Sequence, residues 1–208
     1  MNAIDNAAPM RSRFPTELIV RIGLDDGRSV IVRPVVAIDA PAEQEFVRAL
    51  SIESRHKRFH MGVQELPPAL LRQLTDVDHV GHVAIVAESM AADGDGEGDE
   101  ATIVADARYV FEEGETHLAI AVADAWQGVG LGRAMMQRLL RHAARRGVER
   151  LVADILKGNA AMARLAVSCG GRLDASPLGP GLRRAHFEVA ASQRRMGYTA
   201  APGWRSPH

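Results

Sequence analysis

Apolar residues recur along the chain with two different periods, and these predict an alternation of strands and helices. Short apolar runs rich in β-branched residues predict strands at 29–35, 82–87, 102–111, 116–122, 150–156 and 182–189. Apolar residues spaced three and four apart predict helices at 41–50, 52–60, 68–74, 130–146 and 159–169. The turn Glu112-Glu113-Gly114 predicts an antiparallel strand pair around it. This order predicts an α/β layered domain with a mixed sheet.

Short polar residues mark where the predicted helices begin. Asp39 and Ser51 are expected to cap the first two helices, because their side chains accept hydrogen bonds from first-turn N–H groups. The helix at 130–146 has the clearest pattern, and Gly147 is suited to end it. Its buried face is expected to carry Met135, Met136, Leu139, Leu140 and Ala143.

The distribution of glycine, proline and polar residues predicts one domain with two tails. Residues 15–190 are expected to form the domain, residues 1–14 a disordered leader and residues 191–208 a flexible tail. The segment 91–100 carries three glycines and five acidic residues, and it is expected to be a flexible acidic connection between two strands.

Composition narrows the class of protein. The chain has 208 residues, 47% of them hydrophobic, which allows one domain with a substantial core. A formal net charge of −1 and an aromatic content of 4% do not favour binding to nucleic acid or to a membrane surface. Neither a signal peptide nor an apolar stretch of the roughly 20 residues that span a membrane is recognisable. Cys169 is the single cysteine, so no internal disulfide is possible and a cytoplasmic protein is expected.

Residues 127–132 join a predicted strand to the longest predicted helix. Their glycines stand at alternate positions, which lets the backbone approach a ligand closely. A helix N-terminus presents unpaired N–H groups and partial positive charge, and both favour phosphate. The stretch 125–148 contains five arginines and no acidic residue. An anion-binding turn is therefore predicted here, although the glycines alone fit a tight turn before a solvated basic helix equally well.

Two other phosphate-binding motifs do not fit this turn. A dinucleotide-binding fingerprint needs glycine at position 133, where the chain has Arg133. A P-loop needs Gly-Lys followed by Ser or Thr, which is absent.

The segment Gln127-Gly128-Val129-Gly130-Leu131-Gly132 resembles the Gln/Arg-x-x-Gly-x-Gly/Ala motif of the GNAT (GCN5-related N-acetyltransferase) superfamily. Ala123-Asp124-Ala125-Trp126 before it, and Asn159-x-x-Met162 with Gly170 after it, stand at that family's spacing. The segments 50–55, 58–59 and 74–78 resemble one subgroup, the acetyltransferase domains of bacterial Pat-type protein-lysine acetyltransferases. The resemblance extends over about residues 30–188.

This resemblance implies a three-layer GNAT fold with a mixed, mostly antiparallel sheet, flanking helices and two splayed central parallel strands, 116–122 and 150–156. Acetyl-CoA would bind between those strands as co-substrate, without a metal. Main-chain groups of Ile120 and Val122 would bind the pantetheine arm, and Asn159 would contact it, cap a helix, or do both. The turn that would hold the pyrophosphate comprises Gln127, Gly128, Val129, Gly130, Leu131, Gly132 and Arg133.

One position departs from the Pat-type pattern. Those relatives carry a glutamate in the strand equivalent to 116–122, and this chain has His117 in its place. Direct attack of an amine on a thioester needs a base, and histidine suits that role near neutral pH. His117 is therefore predicted to be catalytic. The alternatives are a structural histidine with water as the base, or Glu113 or Glu115 as the base. Ala166 replaces the tyrosine that many relatives use as general acid.

Two functions remain open from the sequence. One is an N-acetyltransferase that acts on protein lysine or on a small-molecule amine, with a homodimer as a candidate assembly. The other is a non-catalytic acyl-CoA-binding sensor, which the loss of the glutamate would favour. The basic run 55–58 is interpreted as a solvated helix face, with binding of an acidic substrate or a CoA phosphate as the alternative. His79 and His82 lack a third ligand at clear spacing, so no metal site is predicted.

Overall fold

The structure is a computed structural model, and it describes residues 14–60, 62, 64–89 and 101–189. Those residues form a single mixed sheet with helices packed on both faces. The predicted acidic connection and tail, and all of the predicted leader except Phe14, lie outside the described residues.

Within the described residues the sheet has eight strands. They are β1 (Val20–Gly23), β2 (Ser29–Pro34), β3 (His82–Ser89), β4 (Ile103–Glu112), β5 (Glu115–Val122), β6 (Arg150–Leu156), β7 (Arg172–Ala175) and β8 (Leu182–Glu188). Their spatial order is β1-β2-β3-β4-β5-β6-β8-β7, and only β5 and β6 run parallel. The predicted α/β class and mixed sheet are thus confirmed. The sequence analysis missed β1 and β7, because four half-exposed residues give no apolar run.

Five α-helices flank this sheet in the part of the chain that the structure describes. They are α1 (Ala40–Ala49), α2 (Ile52–Phe59), α3 (Pro68–Thr75), α4 (Leu131–Arg145) and α5 (Ala160–Ser168). The core between α4 and the sheet contains the predicted face of α4, with Met135, Met136 and Leu139 fully buried. A second core lies on the opposite face of the sheet, where Phe46 and Val47 of α1 and Leu74 of α3 are buried.

The two predicted caps have different outcomes. Ser51 caps α2 as expected, since its Oγ accepts a hydrogen bond from the Ser54 N–H at 3.1 Å. The prediction for Asp39 is wrong, because its side chain makes no capping hydrogen bond to α1. Its carboxylate instead accepts the Val36 N–H at 2.8 Å and pairs with Arg33 at 2.7 Å. A nearby guanidinium is a stronger partner for a carboxylate than a helix N–H group.

The sheet opens at its centre, between β5 and β6. Their parallel ladder has one pair of residues, His117 and Val152. On its other side β5 pairs with β4 along its whole length, from Glu115 to Val122. The C-terminal half of β5 is therefore held by β4 while its edge towards β6 has no ladder partner. This confirms the splayed central strands that the family resemblance implies.

A group of buried ionisable side chains lies between α1 and the sheet. Arg108 binds the Asp106 carboxylate through Nε at 3.1 Å and also through Nη2. Its Nη2 lies 3.9 Å from Oε1 of Glu43, a fully buried residue of α1. Burial, reinforced by the charge of Asp106, raises the pKa of Glu43 to about 8. Glu43 therefore holds its proton at neutral pH.

The raised pKa of Glu43 predicts how stability depends on pH. A carboxyl group with a higher pKa in the folded state stabilises the fold at low pH and loses that contribution as pH rises towards the folded pKa. Glu43→Gln mimics the protonated form and does not ionise. Between about pH 5 and 8 the free energy of unfolding of Glu43→Gln should therefore rise relative to that of wild type. The rise should be at least ~1 kcal/mol, which corresponds to about one pKa unit. Denaturant unfolding at several pH values measures this gain. Glu45→Gln, at an exposed site on the same helix, should follow wild type, and parallel curves for Glu43→Gln and wild type would refute the prediction.

Candidate functional site

A cavity of about 710 Å³ lies where β5 and β6 separate. We refer to it as the central cavity. Its walls come from β5, β6, α2, the β1–β2 turn, the loop before α4, the start of α4 and α5. The residues on these walls include Ser54, Lys57, Arg58, His60, Ala119, Ile120, Val122, Gln127, Gly128, Gly130, Gly132, Arg133, Asp154, Asn159, Met162 and Leu165.

The turn at 127–132 faces the central cavity with Gln127 and its three glycines. Gly128 and Gly130 have φ angles of 79° and 87°, a conformation that favours glycine. Val129 packs towards the core and Leu131 is fully buried, so neither side chain is on the cavity wall. Of the predicted turn residues, these two could therefore contribute only main-chain groups. The alternate glycines of the motif are the positions that face the cavity.

The N-terminus of α4 is left open towards the central cavity. Gly130 occupies the cap position and no side chain caps the helix, whereas Ser51 caps α2 and Asn159 caps α5. The first N–H groups of a helix have no acceptor within the helix. No acidic residue lies in the first turn, and Arg133 adds a positive charge there. This end of the cavity is therefore suited to bind an anion.

Two glycines of the turn are also in close contact with their surroundings. A Cβ atom on Gly132 would lie 3.3 Å from Cδ2 of Leu165 on α5. A Cβ atom on Gly130 would lie 3.1 Å from Oδ2 of Asp25. Asp25 belongs to the β1–β2 turn, and its N–H donates to the Val129 carbonyl at 3.3 Å. Sequence analysis missed this support, because a contact over about 100 residues leaves no local pattern.

Hydrogen bonds join the same turn to α2. Gln127 donates through Nε2 to the Val122 carbonyl at 3.0 Å and to Ser54 Oγ at 3.4 Å. The Asp124 carboxylate accepts the Ser51 N–H at 2.9 Å and the hydroxyls of Ser51 and Ser54 at 2.8 Å each. Burial acts to raise the pKa of Asp124, but these hydrogen bonds outweigh it and the pKa is lowered. Gln127 and Asp124 thus hold the turn in place.

An ion-pair network crosses the sheet on the α2 side of the cavity. Arg184 of β8 donates to both oxygens of Asp154, at 3.0 and 2.7 Å, and to Glu115 Oε2 at 2.7 Å. Ser176 Oγ donates to Asp154 Oδ1 at 2.6 Å. Burial opposes the ionised form of Asp154, but the bonds from Arg184 and Ser176 lower its pKa. The sequence analysis missed this network, although Asp154 is conspicuous as an acid within an apolar strand.

His117 lies beside this network. Its Nε2 is 3.9 Å from Oε2 of Glu115, and one third of its side chain is exposed. His117 is not on the wall of the central cavity, whereas Ala119, on the same face of β5, is. His60, at the end of α2, does lie on the wall, and burial together with the charge of Arg58 lowers its pKa. His60 was not among the predicted site residues.

Asn159 has the predicted cap role, and its contact with the pantetheine arm stays a prediction. Its Oδ1 accepts the Met162 N–H at 3.0 Å, which makes it the cap of α5, and it lies on the cavity wall. Further along α5, Ser168 donates to the Leu165 carbonyl at 2.8 Å. Burial raises the pKa of the Cys169 thiol, which does not favour a nucleophilic thiolate.

Two features are absent from the residues that the structure describes. These residues hold no group of three or more His, Cys, Asp or Glu side chains placed to bind a metal ion. No helix among them is long and apolar enough to cross a membrane.

Residues 63–170 match the profile described as the Acetyltransferase (GNAT) family. An acetyltransferase of Pseudomonas aeruginosa is 38% identical over 149 residues, which are 71% of this chain and 77% of that protein. Acetyltransferase Pat of Mycolicibacterium smegmatis is 31% identical over 142 residues, 67% of this chain but only 40% of that protein. The GNAT domain of S. lividans PAT has the same fold, with a TM-score of 0.75 over 85% of this chain and 100% of that domain at 24% identity.

The residues that match the family profile contain most of the walls of the central cavity, namely β5, the turn at 127–132, α4, β6 and α5. The family resemblance seen in the sequence is thereby confirmed. The chain belongs to the GNAT acetyltransferase family, whose members are N-acetyltransferases that use acetyl-CoA to acetylate amines.

Proposed function

We propose that this protein moves an acetyl group from acetyl-CoA directly to a primary amine, which is a protein lysine or a small-molecule amine. The central cavity carries this proposal. It combines the uncapped N-terminus of α4, the open edge of β5 and a set of titratable side chains on α2. These are the features needed to hold a phosphate, an extended amide-containing arm and a reacting amine.

The predicted cofactor residues fit acetyl-CoA. Main-chain N–H groups from Gly128 to Arg133 would hold the pyrophosphate at the start of α4. Ile120 and Val122 would offer main-chain groups to the pantetheine arm, since both lie on the half of β5 that has no ladder partner on β6. Gln127 would act as a positioning residue, because its side chain is already bound to the protein.

Acetyl-CoA would supply a thioester: the amine nitrogen bonds to the carbonyl carbon, the carbon–sulfur bond breaks, and the amine gives up a proton while the sulfur gains one. His117 would accept the amine proton through a water molecule, because its ring is not on the cavity wall. Glu115, which Arg184 holds at 2.7 Å, would orient that ring. A β5 main-chain N–H would stabilise the developing oxyanion.

A second candidate is a non-catalytic acyl-CoA-binding sensor. The observation that favours it is the position of His117 off the cavity wall. Thiol release from acetyl-CoA, measured with a panel of amines, lysine peptides and proteins, separates the two. Tight acetyl-CoA binding with no release above the hydrolysis background would select the sensor.

The cofactor site predicts an effect of Gly128→Ala that Gly114→Ala should not share. The two glycines have φ angles of 79° and 83°, and an added Cβ meets no atom within 4 Å at either position. Both variants should therefore lose similar stability, ~1–2 kcal/mol for a left-handed residue. Only Gly128 lies on the cavity wall, so only Gly128→Ala should raise the dissociation constant for acetyl-CoA, by about tenfold or ~1.4 kcal/mol. Calorimetric titration measures the two dissociation constants. Equal affinities for both variants would show that the turn does not bind acetyl-CoA.

The proposed base predicts that His117→Ala lowers kcat by about 10²–10⁴-fold while acetyl-CoA affinity is unchanged. His117→Glu, which installs the Pat-type residue, should recover part of the loss. His186→Ala is the matched control, because His186 pairs with Val152 and so lies in the same row across the sheet as His117. Thiol release at saturating acetyl-CoA is the assay. Full turnover by His117→Ala would contradict the assignment, and a loss confined to His60→Ala would transfer the role to His60.

A further inference from the structure

Arg58 places a largely buried positive charge on the wall of the central cavity. Its side chain is only 14% exposed. Its one ion pair with the described residues is long, with Nη2 at 3.7 Å from Asp106 Oδ1. Asp106 is already engaged by Arg108 through two nitrogens. The interpretation of the run 55–58 as a solvated helix face is therefore wrong for Arg58.

Arg58 has only a share in one carboxylate. Asp106 lies between the guanidiniums of Arg58 and Arg108, and its contact with Arg58 is the longer of the two. Burial raises the pKa of Glu43 next to them, which disfavours a second carboxylate there. His82 contacts Arg108, and burial followed by the charge of Arg108 lowers its pKa to about 4, so it is neutral. A buried guanidinium with so weak a partner is costly, and an anion in the cavity would offset that cost.

Arg58 lies one helical turn beyond the part of α2 that contacts the cofactor turn. Ser54, one helical turn earlier in α2, contacts Asp124 and Gln127 beside that turn. Arg58 instead contacts Asp106, whose neighbour across the sheet is Ala121. Asp106 projects from the face of the sheet that α1 covers, opposite α4. The phosphates of the cofactor have the start of α4 and Arg133, so Arg58 is left for the other substrate.

We propose that Arg58 binds a carboxylate of the acceptor, so that the preferred substrate is an amine with a carboxylate a short distance from the attacking nitrogen. This proposal rests on the acetyl transfer proposed above. A guanidinium binds a carboxylate through two parallel hydrogen bonds, which fixes orientation as well as supplying energy. A neutral amine leaves the guanidinium unpaired, and such sites discriminate strongly against the analogue that lacks the partner group.

The first test uses matched acceptors. Glycine, β-alanine and 4-aminobutyrate are compared with methylamine, ethylamine and propylamine, and lysine peptides with Glu beside the lysine are compared with peptides that have Gln there. The carboxylate member should have the higher kcat/KM, by about tenfold or more, in at least one series. A preference confined to the small molecules identifies a free amino acid as the source of the carboxylate, and one confined to the peptides identifies an acidic neighbour of lysine. Turnover without preference in any pair overturns the role of Arg58 and leaves acetyl transfer intact.

The second test removes the guanidinium. Arg58→Gln should abolish the preference by raising KM for the carboxylate acceptor, with acetyl-CoA affinity unchanged. Arg58→Lys keeps the charge without the two-pronged geometry, and it should retain an intermediate preference. Arg48→Gln is the matched control, since Arg48 is an exposed arginine of α1 that pairs with Glu45 and Glu65 and is not on the cavity wall. A preference that survives in Arg58→Gln, or that Arg48→Gln removes equally, refutes the proposal.

A binding measurement keeps this test independent of turnover. The CoA-loaded protein is titrated calorimetrically with 4-aminobutyrate, with propylamine and with the two lysine peptides. Binding of a carboxylate ligand that is lost in Arg58→Gln supports the anion site even if thiol release fails. Absence of carboxylate binding in wild type, or equal binding in Arg58→Gln, overturns it.

Discussion

The parting of β5 from β6 after His117 and Val152 is the constraint on which the rest of the site depends. A buried backbone group without a hydrogen bond costs ~1–3 kcal/mol, so an open edge within an eight-stranded sheet needs replacement partners. Gln127 supplies one at the end of β5, through the Val122 carbonyl. The remaining edge is suited to an extended ligand that carries amide groups of its own. The backbone of the sheet alone therefore determines which shape of ligand fits this edge.

Hydrogen bonds join the two sides of the central cavity. Asp124 follows β5 directly, yet its carboxylate holds the N-terminus of α2 through Ser51 and Ser54. The helix that carries Arg58 is thus tied to the turn proposed to hold the cofactor. Charge is divided along the same line. Main-chain N–H groups and Arg133 lie at the end proposed for the cofactor, while Arg184 neutralises Asp154 on the α2 side of the cavity.

Sequence alone predicted the elements that repeat a pattern over many residues and the turn whose pattern lies within a few residues. The helix α4 and the hairpin of β4 and β5 have periods that repeat over many residues, and the turn at 127–132 has its three glycines within six consecutive residues. The strands β1 and β7 are too short to repeat a pattern. Asp25 beneath Gly130 and Arg184 on Asp154 join residues about 100 and 30 apart. Such contacts depend on the order of strands in the sheet, which local patterns do not encode.

The spacing of the basic run 55–58 in α2 already indicates that one of its side chains is buried. Successive residues of a helix point about 100° apart, so four consecutive basic residues cannot all lie on one exposed face. On a helix that packs against a sheet, at least one must turn inwards. Arg55 binds carbonyls at the end of α1, at 2.9 Å for Arg48, and Lys57 on the cavity wall pairs with Glu53. Arg58 is also on that wall and is less exposed than Lys57. A buried guanidinium with a shared partner is a stronger indication of an anionic ligand than the charge of the run itself.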